Sequence, residues 1–129
     1  MDGYSVTGQL LKACGHPVRL QILEALARDR EACVCHLEGL LGQRQAAISQ
    51  HLSRLRQAGL VTDRRDGLNV FYSLAEPSLA ELLTVARASA DGIARRQGDR
   101  LRFQAREGKP AGPCNCPRCA TLETLPVAR

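Results

Sequence analysis

The fold of this chain is decided by residues 36–74, which read HLEGLLGQRQAAISQHLSRLRQAGLVTDRRDGLNVFYSL. Apolar residues recur there at helical spacing, which predicts a short helix over 36–41 and a longer helix over 44–58. The buried positions of the longer helix are expected to be Ile48, Leu52 and Leu55. Gly42 separates the two helices, and a pair of helices joined by a short turn containing glycine is typical of a helix-turn-helix.

A β-hairpin is predicted immediately after the longer helix. Residues 61–65 and 69–74 are two β-prone runs, and Asp66-Gly67 between them is a strong turn signal. The hairpin is basic, because it carries Arg64 and Arg65. We therefore expect a mainly α protein with a β-hairpin wing, which is the layout of a winged helix-turn-helix.

Helices are also predicted on both sides of this region. A short amphipathic stretch covers residues 5–13, and Pro17 opens a helix that continues through residue 28. After the hairpin, a long helix is predicted over 77–103. Its apolar and small side chains on one side are Leu79, Leu82, Leu83, Ala86, Ala90 and Ile93. Small residues allow close approach of a partner helix, and a small aliphatic core is thin for a monomer, so we expect a homodimer formed through the terminal helices.

The chain divides into two parts by composition. Residues 1–103 are expected to form one winged helix-turn-helix domain for DNA binding and dimerisation. Residues 104–129 carry several prolines and glycines and three of the six cysteines, which predicts a flexible, Cys-rich C-terminal tail.

Charge is distributed unevenly along the chain. The net charge is +5, yet residues 1–94 hold ten basic and ten acidic residues, whereas residues 95–129 hold eight basic and three acidic residues. Within 43–66, five arginines face two aspartates. Such a basic segment suits contact with phosphate groups.

Several classes of protein are excluded by what the sequence lacks. It contains no stretch near the roughly 20 apolar residues of a membrane span, and its first residues do not form a signal peptide. We therefore expect a cytoplasmic protein without a membrane partner, whose cysteines are thiols, ligands or redox sensors. Three scattered histidines and no glycine-rich nucleophile turn argue against an enzyme.

Two groups of cysteines are candidates for metal binding. Cys33 and Cys35 stand just before the first helix of the helix-turn-helix, and the tail carries Cys114, Cys116 and Cys119. Positions i and i+2 of an ideal helix lie about 200° apart, so Cys33 and Cys35 share an ion only if the segment is extended there or its first turn unwinds. Cys14 is expected to be a buried, inert thiol.

Several segments together resemble the ArsR/SmtB family of metal-responsive winged-helix repressors. They are GHPVRLQIL at 15–23, CVCHL at 33–37, ISQHL at 48–52, LRQAGLV at 55–61, RRDG at 64–67 and VFY at 70–72. The resemblance covers about residues 8–90. It implies a homodimer that binds double-stranded operator DNA with an inverted repeat and leaves it when an inducer binds.

The same resemblance implies a DNA-reading surface, to which side-chain chemistry assigns roles. The candidates on the second helix and the wing are Gln45, Ser49, Gln50, His51, Arg54, Arg56, Arg64 and Arg65. Glutamine bonds base edges, serine and histidine bond bases or phosphates, and the arginines suit phosphates or an adjacent minor groove. Arg44 stands where the family usually has a serine that caps the recognition helix.

The inducer implied by the resemblance is a soft metal or metalloid. The family's arsenic sensors carry a third thiol where this chain has Glu38, so a third ligand must come from the tail thiols or from Cys14. Sulfur ligands favour arsenite, our first candidate, and antimonite, Cd(II), Pb(II), Zn(II) or Cu(I) over harder ions. The family's zinc site on the last helix is rejected, because residues 77–103 contain no histidine.

Two alternatives stay open at this point. One is a repressor of the same fold that senses thiol oxidation or persulfides through bridges between its cysteines. The other is a metal-buffering protein that never binds DNA.

Overall fold

A computed structural model gives the structure of the protein, and it describes residues 1–103. The elements in that range are α1 (Gly3–Cys14), α2 (Pro17–Asp29), β1 (Glu31–Cys33), α3 (Val34–Leu41), α4 (Gln45–Gln57), β2 (Val61–Asp66), β3 (Asn69–Leu74) and α5 (Leu79–Arg96). The predicted tail over 104–129 lies outside the described residues. Within residues 1–103, no helix combines the length and apolar character that a membrane span requires.

The predicted mainly α fold with a hairpin wing is confirmed. α3 ends at Leu41, and the left-handed backbone of its C-cap Gly42 (φ 65°, ψ 30°) turns the chain toward α4. β2 and β3 pair antiparallel from Val61 opposite Leu74 to Asp66 opposite Asn69. The helix pair and the hairpin therefore follow each other along the chain as the pattern of residues 36–74 predicted.

The core lies where α2, α3 and α4 meet. Its deepest side chains are Ile22, Leu23, Leu26, Leu37, Ile48, Leu52 and Leu55, each at most 1% exposed. The three residues of α4 are those predicted from helical spacing, and they place the opposite side of α4 toward solvent. Burial of each such aliphatic side chain contributes about 1.5–3 kcal/mol, which is what fixes α4 on the body of the protein.

A third strand, β1, completes the sheet in the order β1-β3-β2. It pairs antiparallel with β3, so that Glu31 lies opposite Ser73 and Cys33 lies opposite Phe71. The sequence did not predict this strand, because three residues are too few to show an alternating pattern. Its effect is to join the segment before α3 to the wing.

The predicted extent of the last helix was wrong at both ends. α5 begins at Leu79 instead of residue 77 and ends at Arg96 instead of residue 103. The C-terminal end is set by Gly98, which adopts a left-handed backbone (φ 77°) while its amide donates to the carbonyl of Arg95. Leu79 and Leu83 are buried, whereas Ile93 is 52% exposed.

The N-terminus of α4 has no side-chain cap within the described residues. Arg44 occupies the N-cap position in an extended conformation, and its side chain makes no capping hydrogen bond. The first amides of α4 therefore depend on solvent instead of a side-chain acceptor.

Replacing Arg44 with serine is expected to raise the free energy of unfolding by about 1 kcal/mol, because a serine oxygen can accept from an amide of the first turn. Chemical denaturation measures this change. Arg44→Ala is the matched control, since it removes the same charge without adding an acceptor. Equal stability of the two variants would show that the cap is not formed.

Candidate DNA-binding surface and thiol pair

The outer side of α4 carries an exposed polar row. Gln45, Ser49 and Gln50 are exposed, while Ile48 and Leu52 of the same helix are fully buried. This arrangement follows from the period of 3.6 residues per turn, which separates the two sets onto opposite sides. The exposed row offers amide and hydroxyl groups of the kind that bond base edges in a major groove.

Arginines flank this row at the C-terminal end of α4. Arg54 and Arg56 are both exposed, and the guanidinium of Arg56 lies 3.5 Å from the carboxylate of Asp63 on β2. Exposed ion pairs of this length contribute little to stability, so the Arg56 side chain can exchange Asp63 for a phosphate at small cost.

The two arginines of the wing differ in their surroundings. Arg65 is exposed. Arg64 donates from Nε and Nη2 to the two carboxylate oxygens of Glu31, at 3.1 and 2.8 Å, and its guanidinium lies 4.8 Å from the centre of the Phe71 ring. Hydrogen bonding to Glu31 raises the pKa of Arg64, with Asp66 adding a smaller electrostatic contribution.

His51 has a different environment from the other predicted DNA contacts. Its ring lies 4.5 Å from the ring of His16, and its Nδ1 is buried with no hydrogen-bond partner among residues 1–103. His16 in turn caps α2, because its Nδ1 accepts from the amide of Val18 at 3.1 Å. One edge of His51 therefore packs α4 against the start of α2, away from the row formed by Gln45, Ser49 and Gln50.

The stability of the protein is expected to decrease as the pH falls through the range in which His51 titrates. Burial lowers the pKa of His51, and the positive charges of His16, Arg19 and Arg54 lower it further. Because the folded pKa lies below the unfolded one, the unfolded chain takes up the proton first. The contribution of neutral His51 is thus fully present above the unfolded pKa and is lost on acidification.

Denaturation of wild type and His51→Gln between about pH 5 and pH 7 tests this expectation. The glutamine variant should lose less stability over that interval. Parallel pH profiles for the two proteins would contradict the assigned role of His51. Asp29, whose pKa is lowered by Arg28 and His36 against the opposing effect of burial, titrates in a more acidic range and does not interfere.

The sulfurs of Cys33 and Cys35 converge at the junction of β1 and α3. Cys33 is the last residue of β1 and the N-cap of α3, with an extended backbone (φ −87°, ψ 167°), and Cys35 lies in the first turn of the helix. The two Sγ atoms are 3.0 Å apart. Of the two geometries left open by the sequence, the structure has the extended one, so the pair converges while α3 keeps its first turn.

This pair fits a thiophilic ion in part. Two sulfurs at about 2.3 Å from a tetrahedral ion lie ~3.8 Å apart, so the observed pair must open by less than about 1 Å. Within residues 1–103, no group of three or more His, Cys, Asp or Glu side chains is placed to hold a metal ion. Cys114, Cys116 and Cys119, the predicted third ligands, lie outside the described residues.

Cys14 and His36 are also buried. Cys14 is 7% exposed in the main core, where burial raises the pKa of its thiol and opposes ionisation. Its predicted character as a buried thiol agrees with this placement. His36 is also buried, and its Nε2 lies 3.1 Å from the carboxylate of Asp29 at the end of α2.

Comparison with known proteins agrees with this architecture. Residues 16–63 match the family model described as bacterial regulatory protein, arsR family. The chain is 44% identical over 85 residues to the uncharacterized HTH-type transcriptional regulator Rv0081 of Mycobacterium tuberculosis, covering 65% of this chain and 74% of the relative. It is 42% identical over 88 residues to the HTH-type transcriptional repressor SmtB of the same organism, covering 67% of this chain and 64% of SmtB.

Solved structures show the same similarity. The crystal structure of Rv0081 aligns with a TM-score of 0.66 at 36% identity, covering 76% of this chain and 99% of that one. The solution structure of the homodimeric winged helix-turn-helix DNA-binding domain of Mb0332 from Mycobacterium bovis aligns with a TM-score of 0.64 at 27% identity, covering 78% and 90%.

Proposed function

This chain belongs to the ArsR family of bacterial regulatory proteins, and on that basis we propose that it is a transcriptional repressor that leaves its operator when a soft metal or metalloid binds Cys33 and Cys35. Its relatives are DNA-binding regulators and not enzymes. The observation that carries the inducer part of the proposal is the 3.0 Å separation of the two sulfurs at the start of the helix-turn-helix.

The DNA-binding half of the proposal rests on α4 and the wing. Gln45, Ser49 and Gln50 are exposed on one side of α4 and would read base edges in the major groove. The exposed arginines near this row would hold the phosphates on either side; they are Arg54, Arg56, Arg64 and Arg65. His51 retains at most one ring edge for this purpose, because the other packs on His16.

The working form of the protein would be a homodimer. α1 exposes Tyr4, Val6 and Leu11, and α5 exposes Val85 and Ile93, each more than 40% accessible. A partner copy packed on these terminal helices would remove this apolar surface from water. Two recognition helices related by a two-fold axis would then match an inverted repeat in the operator.

The inducer half of the proposal follows from the chemistry of the donors. Two sulfurs within 3.0 Å favour arsenite, antimonite, Cd(II), Pb(II), Cu(I) or Zn(II), and arsenite requires a third thiolate, for which we propose the tail cysteines. Cys33 and Cys35 join the end of β1 to the first turn of α3. Binding through both sulfurs would therefore act directly on the first helix of the helix-turn-helix.

The proposal is tested by titrating the reduced protein on its DNA. Fluorescence anisotropy of the labelled fragment upstream of its own gene would be followed while arsenite or Cd(II) is added, with Mg(II) as the control ion. We expect arsenite or Cd(II) to weaken binding about 5- to 150-fold, the range of allosteric coupling, and Mg(II) to have no effect. Unchanged affinity with every soft ion named above would refute the inducer assignment.

A thiol redox or persulfide sensor is the second candidate. The sulfurs of Cys33 and Cys35 are 3.0 Å apart, so they need to approach by only about 1 Å to reach the ~2.05 Å length of a disulfide bond. The same proximity therefore also suits the redox function. The two candidates separate under strictly reducing conditions: release by arsenite or Cd(II) supports ion sensing, whereas release only by oxidant or persulfide supports redox sensing.

A further inference from the structure

A row of three residues crosses the sheet from the wing to the thiol pair. Arg64 on β2 lies opposite Phe71 on β3, and Phe71 lies opposite Cys33 on β1. Residues directly opposite each other in antiparallel strands project to the same side of the sheet. The wing cation, the aromatic ring and the first sulfur are therefore neighbours on one face.

The Phe71 ring contacts both ends of this row. It is 2% exposed and forms a buried cluster with Cys33, against which Cys35 also packs. On its other side, the guanidinium of Arg64 lies 4.8 Å from the ring centre. A displacement of either sulfur thus changes the contacts of the ring on which Arg64 lies, because close-packed side chains cannot move independently.

Glu31 makes a second connection between Arg64 of the wing and the strand that carries Cys33. It stands two residues before Cys33 on β1, so the two side chains share a face of the strand. Its carboxylate accepts two hydrogen bonds from Arg64, across 33 positions of the sequence. An arginine fork bonded to a carboxylate in this bidentate way has the geometry that also binds a phosphate.

We propose that Glu31 and Phe71 form a clamp that withholds Arg64 from DNA, and that an ion bound at Cys33 and Cys35 favours the clamped state. This inference rests on the proposed function and adds a route to it. In the clamped state, Arg64 is bonded to the strand that ends in Cys33. In the DNA-bound state, Arg64 exchanges Glu31 for a backbone phosphate.

Ion binding is expected to weaken DNA binding, because it stabilises the arrangement in which Glu31 holds Arg64. Binding through both sulfurs fixes the end of β1 to α3 and so holds Glu31 where it bonds Arg64. DNA binding requires the opposite arrangement at Arg64. By linkage, the ion weakens DNA binding by the same factor by which DNA weakens ion binding.

Glu31→Gln tests the clamp in the full-length chain. Glutamine keeps the size of the side chain but removes the charge that holds Arg64. We expect the ion-free protein to bind its DNA roughly fivefold more tightly, as one added phosphate contact gives near physiological salt. The second quantity is the Kd for DNA with saturating arsenite divided by the Kd without arsenite. We expect Glu31→Gln to lower this ratio by a factor on the order of five, which is within the range for residues that change the coupling between two binding sites.

Asp63→Asn is the matched control. It removes the same charge one position from Arg64, but Asp63 pairs with Arg56 and not with Arg64. It therefore reports the effect of releasing a neighbouring arginine from its acidic partner, which should tighten ion-free DNA binding in a similar way. The ratio of Kd values should be unchanged in this variant.

Phe71→Leu gives an independent measurement, because leucine keeps the site apolar but removes the ring under Arg64. It too should lower the ratio. If this variant does not fold, Glu31→Gln still decides. The clamp is overturned if Glu31→Gln lowers the ratio of Kd values no more than Asp63→Asn does.

Failure of the clamp and failure of the proposed function give different results. If arsenite and the other soft ions leave wild-type protein on its DNA, the proposed function and the ion's effect on the clamp both fail; the hold of Glu31 on Arg64 is then tested by the ion-free affinity of Glu31→Gln against wild type, and equal affinities overturn it. If wild type is released but Glu31→Gln keeps the wild-type ratio, the function stands and the clamp is overturned.

Discussion

The Cys33→Ser protein is expected to remain on its operator at arsenite concentrations that release the wild type. Serine replaces one of the two converging sulfurs by a hard oxygen, which is a poor ligand for thiophilic ions. Arsenite should weaken DNA binding by the wild type about 5- to 150-fold, and it should therefore leave the DNA affinity of Cys33→Ser about unchanged. Anisotropy titrations of labelled DNA with and without arsenite measure both numbers.

DNA binding without the ion should survive this substitution for a structural reason. Cys33 is the N-cap of α3, and its side chain makes no capping hydrogen bond. Serine is among the preferred N-cap residues, since its hydroxyl accepts from an amide of the first turn. The new oxygen thus has a partner although the site is only 5% exposed.

Three further variants define what the cysteines do. Cys35→Ser should behave like Cys33→Ser, because both sulfurs belong to the same pair. Cys14→Ala should be released like the wild type, since its thiol lies in the main core. Joint replacement of Cys114, Cys116 and Cys119 by serine should weaken arsenite binding if the tail supplies the third thiolate. Loss of ion-free DNA binding in Cys33→Ser would instead mark Cys33 as structural.

The parts of this fold that depend on local sequence patterns could be predicted from the sequence. The stripe of Ile48, Leu52 and Leu55 follows the helical period, and the hairpin turn at Asp66-Gly67 depends on two adjacent residues. Both signals are local, so the α4 core face and the wing could be derived from the chain alone. The missing serine cap at Arg44 was noted only through the resemblance to the family and not from a local pattern of the chain.

The interactions that bring distant segments together could not be derived in the same way. β1 becomes a strand only because β3 offers it a pairing edge, and Glu31 meets Arg64 only through that pairing. The extended backbone of Cys33 follows from the same strand, and it decides how the two sulfurs converge. His51 looked like its exposed neighbours, because the sequence does not show that His16 lies against its ring.

Replacing both wing arginines by alanine should weaken DNA binding roughly 30-fold near physiological salt, because each lost phosphate contact removes about 0.9 from the slope of log K against log salt. The slope should therefore become less steep by about two. Arg65 is exposed, and Arg64 reaches DNA after leaving Glu31. Anisotropy titrations at several salt concentrations give both the affinity and the slope.

The single variants and a control on α5 separate DNA contact from regulation. Arg95→Ala removes the same charge from a side chain that is 75% exposed in the last turn of α5, outside α4 and the wing, so the slope should be nearly unchanged. Arg65→Ala should lower affinity equally with and without arsenite, whereas Arg64→Ala should also lower the ratio between the two. An unaltered salt slope in the double variant would mean that the wing does not touch the DNA backbone, and the phosphates would then be held by Arg54 and Arg56 of α4.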